Sequence, residues 1–365
     1  MYFSIPTKLI QERNAVKKGA QHFKGVGSHA LLVTGKHSAV ASGAQKDVTD
    51  VLDSLGIPYD VFSQVEENPS LDTVEKGAYF GLEKGADFII GIGGGSPLDA
   101  SKAISLLMGT KESTGKDLFN KDIPMKGLFL IAIPTTCGTG SEVTPYAILS
   151  LHEQKTKKGM SQRLFPNLAF LDATYLESAP PSLIQYTAVD TLGHLLESYI
   201  NPHASYYSNM CVEYGMGLWA KKKEHLLTGD FTKEDYEHFL TASSMAGMAI
   251  SHTGTSLPHA MSYYLTYEKG VPHGKAVGTF LASYVKACPD KKWIGKVEKM
   301  LGFSSQGEMK DFIERILGRL SIPEVEGLDC AKALLSNHEK LANCPFHLTK
   351  EMAVSMYKES LDFVG

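Results

Sequence analysis

From residue 29 to residue 172, short apolar runs take turns with longer segments of helical periodicity, and the alternation stops at a double proline. The runs are His29–Thr34, Tyr59–Gln64, Phe88–Ile92, Gly127–Ile133 and Leu168–Asp172. Each has the length and content of a strand buried on both faces. Between them, Val40–Leu55 and Leu71–Lys84 carry apolar residues at three- and four-residue spacing, and Leu98–Met108 is expected to be a helix as well. That alternation specifies an open parallel sheet with helices packed on its two faces, a Rossmann-like α/β arrangement.

Past Ala179-Pro180-Pro181-Ser182 no strand pattern is left. Helices are expected at Leu183–Tyr199, Met210–Leu227, Lys233–Ala249, Leu257–Tyr267, Val277–Ala287, Gly307–Gly318, Leu328–Leu341 and Lys350–Phe363. Proline disfavours helix at the residue before it and so punctuates the chain. The expected organisation is an α/β domain over residues 1–178 and an all-helical domain over 179–365. A chain of 365 residues is long enough for both.

Composition narrows the class further. Apolar residues make up 43% and charged residues 21%, the balance of an ordinary globular protein. A net charge of −4 gives no electrostatic footprint for nucleic acid. Cys137, Cys211, Cys288, Cys330 and Cys344 are widely spaced with no CxxC, which argues against a disulfide framework and a thiolate zinc site. The N-terminal segment does not read as a signal peptide. The apolar run near Leu128–Pro134 falls far short of the roughly 20 residues a membrane helix needs. A soluble protein of the reducing cytoplasm is expected.

Two loops hold the candidate ligand chemistry of the first half. Gly93-Gly94-Gly95-Ser96 follows the Phe88–Ile92 run and precedes a helix. Glycines admit a phosphate close to the backbone, and a helix N-terminus offers free N–H groups. The same pattern also serves a plain strand-to-helix turn. Pro134-Thr135-Thr136-Cys137-Gly138-Thr139-Gly140-Ser141-Glu142-Val143-Thr144 follows the next run. It sits at the carboxyl edge of the sheet, where open α/β folds bind ligands, although hydroxyls and glycines also suit a surface turn.

The second half holds candidate metal ligands. Asp190 and His194 stand four residues apart, on one helix face. His259 and His273 follow downstream. One carboxylate and three imidazoles would suit Fe²⁺ or Zn²⁺ better than Ca²⁺ or Mg²⁺. Glu197 and Tyr199 would stand behind such a site or on the surface. With 13 histidines in the chain, a solvated Asp–His pair remains the alternative.

Taken together, Gly93–Ser96 with Asp99 and Lys102, then Pro134–Thr144, then Asp190 and His194, then His259 and His273, resemble the iron-containing (group III) alcohol dehydrogenase family. The resemblance runs over essentially the whole chain, and GGGSPLDASK with PTTCGTGSEVT is specific in combination. It implies a dinucleotide-binding α/β domain followed by an all-α metal-binding domain. Asp190, His194, His259 and His273 would bind Fe²⁺, in places Zn²⁺, and serve catalysis through it. Gly94, Gly95 and Ser96 would hold the pyrophosphate with help from Asp99. Thr135, Thr136 and Thr139 would contact the cofactor, and Ser141 and Val143 would lie beside the nicotinamide. Asn68 matches a position near the adenine ribose, and Lys158 a cofactor-contacting lysine.

The resemblance further implies reversible hydride transfer between NAD(P)H and a small alcohol or aldehyde, assisted by a Lewis-acidic cation. Two positions depart from the family pattern. Tyr263 stands where many members carry a further histidine, and is the candidate proton relay in its place. His273-Gly274-Lys275-Ala276-Val277-Gly278 replaces the HGxANA of many members. Selective NAD users often place an acid where Gly35 stands. Here Gly35, Lys36 and Ser38 offer room, a charge and a donor, so NADP(H) is favoured over NAD(H). Rival readings are a glycerol-dehydrogenase-like or dehydroquinate-synthase-like enzyme of the same fold, or a non-catalytic nucleotide-binding protein. The phosphate cluster of the second rival is hard to build where Arg315 and Arg319 are the only arginines of the helical half. A homodimer or higher homo-oligomer is expected.

Overall fold

The computed structural model describes residues 3–154 and 156–364. They form two compact units, residues 4–179 and residues 180–364, the second joined by Phe3.

The first unit is built on a sheet of six strands. Its strands are β1 (Lys8–Gln11), β2 (Ala30–Gly35), β3 (Tyr59–Val65), β4 (Phe88–Gly93) and β5 (Phe129–Pro134). After an antiparallel pair, β6 (Ile148–Leu151) and β7 (Thr156–Gly159), comes β8 (Leu168–Leu171). The order is β1-β8-β5-β4-β2-β3, with every neighbouring pair parallel. The apolar runs therefore form the sheet expected of them. Neighbouring residues point to opposite faces. Leu31, Val33 and Ile89 pack with Val74 of α2 (Leu71–Lys84) and Ile104 of α3 (Gly95–Gly109). Leu32, Ile90 and Ile131 pack with Val48 and Leu52 of α1 (Ala44–Leu55). The edge strand β1 escaped the sequence pattern because KLIQ is short and half polar. Strand β2 continues outward to β3 and β4 to β5 in the opposite direction, so the order reverses between β2 and β4. Ligands of such sheets bind in the crevice beyond the strand ends at that reversal.

The second unit holds α4 (Pro181–Tyr199), α5 (Tyr206–Lys222), α6 (Lys233–Thr253), α7 (Leu257–Tyr267), α8 (His273–Ala287), α9 (Lys291–Leu301) and α10 (Gln306–Leu317). Next come β9 (Leu320–Pro323), α11 (Glu324–Leu334), α12 (Lys350–Ser360) and β10 (Leu361–Val364). This unit is helical but not wholly so, because β9 and β10 pair in parallel, Leu361 against Leu320. Four-residue strands leave no periodicity to read, and the helix expected to run to Phe363 gives way to β10 after Ser360. The helix expected over Leu328–Leu341 breaks at Leu334, and a short turn of helix restarts at His338 under the side chain of Asn337. Helix α5 begins ahead of expectation, at Tyr206, because Ser205 and Ser208 close a reciprocal cap. Helix α9 was not expected; Asp290 accepts from the N–H groups of Lys292 and Trp293 to start it.

No helix among the described residues is long and apolar enough to cross a membrane. The five cysteines are all free thiols.

Candidate functional site

Three of the four expected metal ligands come together in the second unit. One ligand atom each from Asp190, His259 and His273 lies within 4.8 Å of the others. His259 Nε2 is 3.5 Å and His273 Nε2 is 3.7 Å from Asp190 Oδ1. His194 stands alongside rather than within this group. Its Nδ1 is 4.0 Å from Asp190 Oδ2, and its ring centroid is 4.4 Å from that of His259. Asp190, His194 and His259 are buried, while His273 keeps 30% of its side chain exposed. The Asp–His pair is thus not a solvated one. Asp190 Oδ1 and His259 Nε2 are buried without a hydrogen-bond partner. Buried polar atoms are rarely left so. A carboxylate and imidazoles facing one point, with unsatisfied lone pairs, fit a divalent first-row cation.

Electrostatics agree with that fit. Burial alone would raise the Asp190 carboxyl, but His194, then His273 and His259, hold it well below the usual carboxylate range. Burial works against charge on His259, yet the carboxylates of Glu197 and Asp190 lift it to about 9. The cluster favours positive charge.

Glu197 stands behind the group, fully buried. Its Oε2 accepts from His259 Nδ1, and its Oε1 accepts from the backbone N–H of Ser256 at 2.8 Å. The spacing of Asp190, His194 and Glu197 puts all three on one face of α4. That spacing was the available signal for Glu197, which the sequence left open as a supporting or surface residue.

Glycines let the ligand helices meet. A Cβ on Gly274 would lie 2.0 Å from the carbonyl oxygen of Tyr186, and one on Gly278 would lie 2.5 Å from a Val189 methyl. Helix α8 therefore presses its backbone against α4, carrying His273 beside Asp190. Tyr263, one turn beyond His259 on α7, is half-buried. His252 stacks on Phe3 with ring centroids 4.3 Å apart.

In the first unit the two loops meet beyond the ends of β4 and β5. Gly94 caps α3 with no side-chain hydrogen bond to the first N–H groups of the helix. A Cβ on Gly95 would lie 2.6 Å from a Thr139 methyl, and one on Gly94 would lie 3.2 Å from Thr136. The N–H of Thr135 donates to Gly93 O at 2.9 Å, and Thr135 Oγ1 is buried without a partner. Ser96 Oγ accepts from the N–H of Asn68 at 3.0 Å. Asn68 holds a left-handed backbone, φ 57°.

Asp99 and Ser141 act on the loop itself. Ser141 Oγ donates to Asp99 Oδ1 at 2.6 Å, and Asp99 Oδ2 accepts from Ile148 N at 2.9 Å. Lys102, fully buried, donates to Ser141 Oγ at 2.6 Å and to Tyr146 O at 2.7 Å. Burial pulls this ammonium down to about 8. Val143 is fully buried in the same knot. Gly35 ends β2 across the reversal from Gly93, with Lys36 exposed and Ser38 half-buried beside it.

Lys158, the lysine expected near the cofactor, and its neighbour Lys157 face opposite ways. Lys158 is exposed, its ammonium 5.3 Å over the Phe119 ring. Lys157 is the buried neighbour, and its Nζ donates to Asn68 Oδ1 at 2.7 Å. Alternation along β7 turns one lysine in and the next out.

Comparison with known proteins agrees with these features. A family model described as iron-containing alcohol dehydrogenase matches residues 6–173, and one for the C-terminal part of that family matches residues 184–336. A long-chain primary alcohol dehydrogenase of Thermoanaerobacter ethanolicus is 32% identical over 78% of this chain and 71% of its own. An NADPH-dependent butanol dehydrogenase of Clostridium saccharobutylicum is 30% identical over 78% of this chain and 74% of its own. The crystal structure of an iron-containing alcohol dehydrogenase from Thermotoga maritima is 33% identical, covers 99% of each chain and superposes with a TM-score of 0.92.

Proposed function

Because the chain belongs to the iron-containing alcohol dehydrogenase family, and is an oxidoreductase of that family, we propose that it interconverts a small primary alcohol and its aldehyde with NADP(H) as the preferred hydride carrier. One observation carries the reading: Asp190, His259 and His273 bring three ligand atoms within 4.8 Å of one another, two of the three residues being buried. With His194 they would hold Fe²⁺, or Zn²⁺ in its place. When bound, such a cation supplies Lewis acidity to a substrate oxygen. Tyr263 is the residue to pass the hydroxyl proton toward solvent.

The division of labour follows the two units. Residues 1–178 would bind the nucleotide and residues 179–365 the metal and substrate. The open helix start at Gly94, Gly95 and Ser96 is suited to the pyrophosphate. Asn68 and Lys157 would face the ribose end, Lys157 taking the role expected of Lys158. Thr135, Thr136 and Thr139 line the loop above. Asp99, Ser141 and Val143 would keep that loop in shape. Lys36 and Ser38 would take the 2′-phosphate that an acid at Gly35 would repel, and the butanol dehydrogenase relative is NADPH-dependent by name. The protein would work as a homodimer or larger homo-oligomer, in a cytoplasm that keeps its cysteines reduced.

The test is aldehyde-dependent NADPH oxidation by protein stripped of metal and reloaded with Fe²⁺ or Zn²⁺, with NADH in parallel. Turnover that needs the added ion, and is faster with NADPH, supports the reading. Equal turnover without the ion would overturn it.

A further inference from the structure

We infer that Glu197 is a positioning residue whose carboxylate selects the tautomer of His259, placing the proton on Nδ1 and leaving Nε2 bare to face a cation. The inference rests on the metal reading above and extends it to a residue that touches neither the ion nor the substrate.

The geometry is one-directional. Glu197 Oε1 is occupied by the backbone N–H of Ser256 at 2.8 Å, with the N–H of His259 at 3.4 Å on the same oxygen. Its Oε2 meets His259 Nδ1. A carboxylate only accepts, so the proton between them belongs to the ring. The other ring nitrogen, Nε2, points at Asp190 Oδ1 from 3.5 Å and has no hydrogen-bond partner. An imidazole that donates from one nitrogen to an acid behind it presents the other, more basic, to a metal.

Glutamine separates this role from simple filling of space. Ser256 N can only donate, so the amide oxygen of Glu197→Gln must stay on that side. The amide NH₂ then faces His259 Nδ1, which has to accept, and the ring proton moves to Nε2. There it occupies the direction a cation needs. Shape and volume are conserved, while the lone pair is turned away.

The experiment measures Zn²⁺ affinity by chelator competition on the full-length, metal-stripped chain, as wild type, E197Q, H259A, H273A and the double variant E197Q/H259A. The expected loss for E197Q is roughly 10–100-fold. In the H259A background the same change should cost almost nothing more, because the ring it acts through is gone. Wild-type affinity in E197Q, with H273A weakened, overturns the tautomer role and leaves the metal site standing. A loss that repeats in full in the double variant also overturns it, since Glu197 would then act through the fold at large. If neither H259A nor H273A weakens Zn²⁺ binding, the metal reading itself fails.

Discussion

His259 Nε2 and Asp190 Oδ1 face each other across 3.5 Å inside the protein, and neither has a hydrogen-bond partner. They come from α7 and α4, far apart in the chain. Two lone pairs held at that distance without a proton donor repel unless a cation, or a proton on the ring, stands between them. Asp190→Asn should therefore abolish tight Fe²⁺ or Zn²⁺ binding and cut turnover by on the order of a hundredfold or more, with NADPH affinity kept. Metal analysis, initial rates and cofactor fluorescence titration check the three parts.

Gly274 makes a different kind of contribution. A methyl group there would lie 2.0 Å from the Tyr186 carbonyl oxygen, and backbone does not yield as a side-chain tip does. Gly274→Ala should destabilise the protein by about 1–3 kcal/mol or more, and should weaken metal binding because His273 is its neighbour. Gly295→Ala, on an exposed turn of α9 with nothing within 4 Å of the new methyl, should gain about 0.5–1 kcal/mol. Thermal unfolding of the two variants reads the opposite signs.

Lys157 and Lys158 should behave as unlike neighbours. Lys157→Met should raise the Kd for NADPH by about tenfold, the worth of a charge-assisted contact, and Lys158→Met should leave it near wild type. Burial pulls the Lys157 ammonium from 10.5 to about 8. It is a cation below that pH and neutral above it. Cofactor affinity should thus fall as pH rises from 7 to 9, and Lys157→Met should flatten that slope. Titration by cofactor fluorescence across this range gives the answer.

The carrier preference proposed above can be tested at Gly35. A Cβ there would meet only Val65 O at 3.4 Å and Pro97 Cγ at 3.7 Å, both ordinary contacts. Gly35→Asp should shift kcat/KM toward NADH by at least about tenfold, since a carboxylate repels the 2′-phosphate and accepts from a ribose hydroxyl. Rates with both carriers decide it, and an unchanged ratio would remove Gly35 from the specificity argument.

The sheet was legible because its inner strands β2, β4, β5 and β8 are buried on both faces, and a run such as Phe88–Ile92 has no other economical use. The edge strand Lys8–Gln11 and the pair Leu320–Pro323 with Leu361–Val364 were not, because four residues carry no period and much of their surface is wet. Asp190, His259 and His273 were legible as residue types, through family resemblance more than through spacing. Their approach was not, since it depends on Gly274 and Gly278 letting two helix backbones close together. The inward turn of Lys157 rather than Lys158 depended on strand register, which shifts every side chain to the other face with a slip of one.

All the side chains of the cluster, and the acid behind His259, lie between residues 190 and 273, while every candidate nucleotide contact lies before residue 160. Iron supply and coenzyme supply would then be two separate handles on one catalyst. On the function proposed above, copies without the ion would keep their coenzyme site and lose turnover.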